Sequence, residues 1–424
     1  MTDERTRPTR LLRRDPGRGR VPKPPGPPPP PGPPLGTRLV KPGDFTLMAT
    51  DFTNGLQVID GEVRIAIGNS GKVVFVGSQA ATGGAAPPQA VFVSNGGALE
   101  VLATGVSGYG NVRAIRLAGT GEILFVADRP GRRGLYRGVP GSAAIATLYE
   151  GAFDWGFDPE GLPTPQQRIA IAPNDTLAFS SLVSGKGGVY RSTVQGPPTL
   201  LRKGSGVFYN NQALDVNSAG AVAVQMEYTD PNGGLQRGIL LFDSVGDTLA
   251  SIDTVIERQG VGTQPELAIN DSGKVAFALN WPITIQYYTP ILPASGEPAT
   301  PTTKQSVPAG VHVGTPSPFG TPFTFTTIAT PADGYSHFGN VSFSDAGRVV
   351  FEARFGGESG VFMGANAATD TIALTGEEVV IGGAAQFFSI VRLGDINSAN
   401  QLAIQTSDFR STDQKIWRVQ LPPV

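Results

Sequence analysis

Three observations predict an all-β chain folded as a seven-bladed β-propeller of four-stranded blades. One nine-residue block recurs seven times, the strand after its turn is apolar on both faces, and each repeat unit holds material for four strands at spacings of roughly 50 residues. The block reads INDSGKVAF at 269–277, IGNSGKVVF at 67–75, LAGTGEILF at 117–125, VNSAGAVAV at 216–224 and FSDAGRVVF at 343–351, with looser copies IAPNDTLAF at 171–179 and INSANQLAI at 396–404.

The turn comes first. In 270–273, Asn-Asp-Ser-Gly, the Asn side chain can bond backbone two residues on, and Gly accepts a positive φ. The position held by that Gly, called the slot below, carries Gly71, Gly121, Asp175, Gly220, Gly273, Gly347 and Asn400. Asn is the next best residue for the left-handed conformation, and Asp tolerates it. The exceptions therefore obey the backbone rule, and the N-x-x-G pattern is read as turn chemistry.

The strand comes next. Two past the slot stand Val73, Ile123, Leu177, Val222, Val275, Val349 and Leu402; four past it stand Phe75, Phe125, Phe179, Val224, Phe277, Phe351 and Ile404. The intervening face, three past the slot, holds Val74, Leu124, Ala178, Ala223, Ala276, Val350 and Ala403. A strand apolar on both faces must be covered on both, which selects stacked sheets. After Phe351 come GVFMG at 360–364 and TIALTG at 371–376, and other units repeat that order. Spacings between slots are 50, 54, 45, 53, 74 and 53, the period of propeller blades.

The ends come last. After the seventh turn only QLAIQTS and KIWRVQ remain, whereas TRLVKPGD at 37–44 resembles the outer strands of other units. The N-terminal strand is therefore expected to complete the last blade, leaving 37–424 as one propeller with a loop insert at 289–322. Residues 1–36 form a disordered basic, Pro-rich tail: ten of the fourteen residues at 21–34 are Pro, which favours an extended polyproline II spacer.

Composition narrows the function classes. With 16% charged residues, 56 Gly and 37 Pro, the chain suits a turn-rich β body. The absence of Cys excludes disulfides, thiolate nucleophiles and Cys-ligated zinc. A net charge of -2 argues against a nucleic-acid surface, which needs clustered positive charge. No run of about 18 apolar residues marks a transmembrane helix, and no apolar stretch of a secretory signal follows the basic start. Localisation stays open between the cytoplasm, export by another route, and a native start other than this one.

The blocks resemble a bacterial tandem-repeat group with N-x-x-G-x-x-A-F units, the choice-of-anchor repeat proteins, most closely at INDSGKVAF and over roughly 37–424. That resemblance implies extracellular or cell-surface placement and offers no catalytic residues to carry over.

Function is expected on the face opposite the uniform turns, where the loops differ. The candidate ligand-binding residues are Asp154, Trp155, Asp158, Glu160, Tyr209, Trp281, Tyr335 and His337. Asp154, Asp158 and Glu160 suit either a glycoside-hydrolysing carboxylate pair or a calcium site, against a plain acidic turn. Trp155, Trp281, Tyr209 and Tyr335 suit sugar stacking, against plugs over the core. His312 and His337 are the only histidines, which leaves little for a triad or a multi-His metal site. The leading expectation is a non-enzymatic module binding polysaccharide, envelope polymer or protein, with no metal site and no cofactor other than calcium. The alternatives are a carboxylate-dependent hydrolase or lyase and a purely structural array.

Overall fold

The computed structural model describes residues 38–51, 56–59, 65–79, 88–104, 108–130, 132–142, 144–150, 169–172, 176–183, 186–193, 199–203, 213–229, 235–242, 248–254, 267–288, 301–315, 324–408 and 413–424. All of them fall within one compact unit, Gly32–Val424. They form seven antiparallel sheets with a single four-residue helix, Ala367–Asp370. The expected tail at 1–36 and Asp175 lie outside the described residues.

In each blade an inner strand leads through the repeated turn into a central strand: Ala66–Ile67 into Val73–Gln79, Gly110–Leu117 into Ile123–Arg129, Ile169–Ile171 into Thr176–Val183, and Ala213–Val216 into Val222–Thr229. The last three blades repeat this with Leu267–Ile269 into Val275–Leu279, Val341–Phe343 into Val349–Phe355, and Ala384–Ile396 into Gln401–Asp408. At every described slot the backbone is left-handed, with φ between 77° and 89° at the five glycines and 56° at Asn400. The slot N–H donates to the carbonyl three residues earlier, for example Gly273 to Asn270 at 2.9 Å and Asn400 to Asn397 at 3.1 Å. This is a type I turn closed by a left-handed residue, the three-residue hairpin connection.

The core is as regular as the turns. Of the residues two, three and four past the slot, only Val349 is more than 0% exposed, at 4%. Each of seven apolar clusters joins the residue three past the slot in one blade to those two and four past it in the next. Val74 packs with Ile123 and Phe125, Leu124 with Leu177 and Phe179, and Ala178 with Val222 and Val224. Ala223 packs with Val275 and Phe277, Ala276 with Val349 and Phe351, and Val350 with Leu402 and Ile404. The ring closes where Ala403 of the last blade meets Val73 and Phe75 of the first. At four of the seven seams a small residue, Ala178, Ala223, Ala276 or Ala403, thus receives larger ones from the next blade, and each buried Phe contributes about 1.5–3 kcal/mol.

The N-terminal strand completes the seventh blade, but a few residues later than expected. Phe45–Thr50 pairs antiparallel with Gln414–Gln420, whereas 39–44 is a bend followed by a single 3-10 turn, Pro42–Asp44. Pro42 cannot donate to a sheet ladder, which is why the strand starts after it. The approach is pinned by the buried Arg38, whose Nη1 lies 2.7 and 2.8 Å from the two carboxylate oxygens of Glu377.

The stretch at 289–322, expected as a plain excursion, carries regular structure. Gly310–Thr315 is the third strand of the fifth blade and pairs with Val275–Leu279. The departure from the blade pattern is a hairpin, Ile283–Tyr288 with Pro301–Val307, whose first strand adds to Thr248–Thr254 at the edge of the fourth blade and makes a six-stranded sheet. Its Thr- and Pro-rich second strand offers little apolar patterning, so the sequence did not read as strand.

Candidate functional site

The described chemistry converges on the axis of the ring. A cavity of about 140 Å³ is lined from the inner strands and their turns. All seven blades contribute the residue four before the slot, namely Ile67, Leu117, Ile171, Val216, Ile269, Phe343 and Ile396, whose side chains pack into the apolar seams between blades. The preceding position, five before the slot, reads Ala66, Arg116, Ala170, Asp215, Ala268, Ser342 and Asp395 around the ring. Three of seven equivalent positions therefore carry charge, and all three line the cavity.

These charges are held in a defined way. Asp215 Oδ2 accepts from the N–H of Ile269 in the next blade at 2.9 Å, and Ser342 Oγ accepts from the N–H of Ile396 at 3.0 Å. The same register position thus reaches the same backbone group one blade on. The Arg116 Nη1 donates to the carbonyl of Ile115 at 2.9 Å and lies 3.9 Å from Asp395 Oδ2. Burial pushes the Asp215 carboxyl up from 3.8 to about 6, against the pull of the Ile269 N–H and of the Arg116 charge, with Asp395 adding to the rise. Among the described residues no cluster of three His, Asp or Glu side chains is placed to hold a metal ion.

The turns frame the mouth of the cavity, with Asn69, Gly119, Asp271, Asp345 and Ser398 on its rim. They also grip one another. Asn217 Nδ2 donates to the Asn270 carbonyl at 3.0 Å, and the Ser218 N–H to Asp271 Oδ1 at 2.7 Å. The Asp271 N–H donates to Asp345 Oδ1 at 2.9 Å. Across the ring closure, Asn397 Nδ2 donates to the Gly68 carbonyl at 2.8 Å and Ser398 Oγ to Asn69 Oδ1 at 2.8 Å. The Asn of the block therefore serves its neighbour as well as its own turn, where Asn397 Oδ1 accepts from Gln401 N–H at 2.8 Å. Burial raises the Asp345 carboxyl, which the Asp271 N–H pulls back down.

Of the eight candidates chosen from sequence, three lie among the described residues: Trp281, Tyr335 and His337. Asp154, Trp155, Asp158, Glu160 and Tyr209 lie outside the described residues. Tyr335 takes the core role weighed for it: it is 2% exposed, packs edge-on to Phe351 and Phe362, and donates its hydroxyl to the Gly364 carbonyl at 2.9 Å. Trp281 is half-buried against the cluster between the fourth and fifth blades. His337 is exposed, with a left-handed φ of 51°. His312 is fully buried in a strand, its Nε2 2.9 Å from the Pro308 carbonyl.

The sequence matches no protein-family profile and no curated protein. Among solved structures, the chain is similar to a prolyl endopeptidase (TM-score 0.46, 9% identity, 92% of this chain and 52% of that one). It spans about half the length of that chain. It is also similar to TolB from Acinetobacter baumannii (TM-score 0.37, 12% identity, 82% of this chain and 81% of that one). A third likeness is to the β-propeller domain of the Trilobed protease from Pyrococcus furiosus (TM-score 0.45, 9% identity, 87% and 96%). The chain's own seven sheets and the pairing of its first strand with its last make it an all-β, seven-bladed propeller closed by its N-terminal strand.

Proposed function

We propose that this chain is a non-enzymatic binding module, a propeller that takes up a glycan, a cell-envelope polymer or a protein. The observation that supports the reading is the axial cavity, where the inner strands and turns of the ring bring together three charged side chains, Arg116, Asp215 and Asp395. Ligand sites are concave and hold a small number of placed polar groups. The choice-of-anchor resemblance is part of the same proposal and rests on the seven turn blocks. No helix among the described residues is long and apolar enough to cross a membrane.

The test is the melting temperature of the full chain against a panel of polysaccharides, cell-wall fragments and calcium, with chelator controls. A ligand at a hundred times its dissociation constant adds about 2.7 kcal/mol to the folded state. A reproducible rise with one polymer supports the module. Turnover of that polymer would replace this reading with a hydrolase or lyase, and a panel without any response would remove the glycan and envelope-polymer arms.

A further inference from the structure

In every blade the central strand starts at the repeated turn and runs away from it, so its connection to the third strand lies at the opposite end of the blade. These far tips can be compared around the ring, each taken as the last strand pair and the loop it encloses. In the second blade that pair is Arg129 with Arg132, which gives the tip a charge of +2 and no acidic residue. The other six tips carry between -1 and +1. The blade follows its tip: residues 110–150 hold six Arg and three acidic residues, whereas residues 37–424 as a whole hold 25 Lys and Arg against 32 Asp and Glu.

This arrangement costs folding energy, because like charges directly opposite each other on an antiparallel pair are destabilising. The pair one step further in, Asp128 with Arg133, has opposite signs. Asp128 Oδ2 also accepts from Asn111 Nδ2 at 3.1 Å, and Asn111 holds a left-handed φ of 45°. Arg129 is placed over the Tyr109 ring, 5.3 Å from its centroid, and Tyr109 is wedged edge-on against Phe125 and Tyr136. One of the two opposed cations therefore stands on a fixed aromatic base.

An anion taken up at this pair relieves the repulsion, and the guanidinium fork matches carboxylate and phosphate oxygens. Exposed charges more than about 8 Å apart are largely screened at physiological salt, so a local excess attracts anions even on an acidic body. Duplex DNA calls for a stripe of cations along its phosphates, which a single tip does not supply.

We propose that the far tip of the second blade, at Arg129 and Arg132, binds the repeated anionic groups, carboxylate or phosphate, of an acidic polysaccharide or envelope polymer. This site is separate from the axial cavity, whose rim is built from the turns at the other end of the blades.

The experiment is calorimetric titration of the full chain with polygalacturonate, poly(glycerol phosphate), dextran and duplex DNA at low and high salt. At least one of the two anionic polymers is expected to bind, more weakly at high salt, and which one binds separates a carboxylate source from a phosphate source. Arg129→Gln and Arg132→Gln are each expected to weaken binding roughly fivefold or more. Arg354→Gln, exposed on the sixth blade, should leave it unchanged. Arg132→Gln also removes a like-charge neighbour, so its melting temperature should hold or rise while affinity falls, which sets misfolding aside. The basic stretch at 1–36 attracts polyanions equally in all these proteins, so the difference between them is what counts. Equal affinity in wild type and both tip variants overturns the proposal, as does failure of both anionic polymers to bind or DNA binding as tightly as they do. A neutral polymer that raises the melting temperature in the panel above would keep the module reading when the tip fails.

Discussion

The seven seams between blades share one apolar design and differ in their polar one. Core packing repeats without exception, each residue three past a slot meeting those two and four past the next. Hydrogen bonds between turns join the fourth blade to the fifth, the fifth to the sixth and the seventh to the first. At the seams from first to second, second to third and third to fourth, the position that holds Asn217 and Asn397 elsewhere is Gly68, Ala118 and Ala172, none of which has a side-chain amide. The neighbouring position is Gly119 in the second blade and Pro173 in the third, so one lacks an accepting side chain and the other a donating N–H. At Gly68 an added Cβ would lie 2.5 Å from Leu117 Cδ2, so a side chain there would require Leu117 to shift. Apolar stacking is common to all seven seams, and the polar grip is an additional device seen at three of them among the described residues.

Removing the grip where it closes the ring is expected to have the largest effect. Asn397 is 5% exposed and makes hydrogen bonds to the Gly68 carbonyl, to the Gln401 side chain and from the N–H groups of Ala399 and Gln401. Asn397→Ala leaves buried partners unsatisfied and should cost about 2–4 kcal/mol in urea unfolding. The control Thr120→Ala, on the exposed turn of the second blade, should change stability by less than about 1 kcal/mol. Equal losses at both positions would erase the distinction between the seams.

The second prediction concerns pH and crosses the ring, because Asp215 stands in the gripped half and Arg116 in the bare half. A carboxyl raised in the folded state binds its proton more tightly there than in the unfolded chain. Its contribution to stability is fully present below its ordinary value of 3.8 and is lost as pH rises through about 6. Asp215→Asn should therefore match wild type near pH 4 and exceed it at pH 7.5, by on the order of 2 kcal/mol. A wild-type stability that rises over this window with the same slope in the variant would remove Asp215 as the cause.

The smallest effect is expected at the exposed rim. Asp271→Ala deletes one acceptor for the Ser218 N–H, and solvent can replace it, so a loss of about 0.5 kcal/mol is expected. Hydrogen exchange sharpens the result: the Ser218 amide should exchange faster in the variant while the Gly121 amide is unchanged.

Most of the fold was legible because its information is local. A turn residue with positive φ and a strand with two apolar faces are written in adjacent positions, as in Asn270 to Phe277. The grip was not legible, since Asn217 meets a carbonyl 53 residues on, and no local rule distinguishes that partner from its own turn. The axial charges were missed by one residue. The repeated block begins four before the slot, so Asp215, Arg116 and Asp395 stand immediately outside it, and attention to what repeats passed over the position where the repeats diverge. The closing strand was displaced by Pro42, and the hairpin at 283–307 was hidden by a composition that reads as loop.

The pairing of Phe45–Thr50 with Gln414–Gln420 also fixes an order of events. A chain made from its N-terminus presents its first propeller strand long before the partner for that strand exists, and the last blade cannot be assembled until nearly the whole polypeptide is available. Contacts of such wide sequence separation are slow to form. During that interval the first and last apolar interfaces both lie open, which makes the seam around Phe75 and Ala403 the place where a second, equally incomplete chain would most readily intrude.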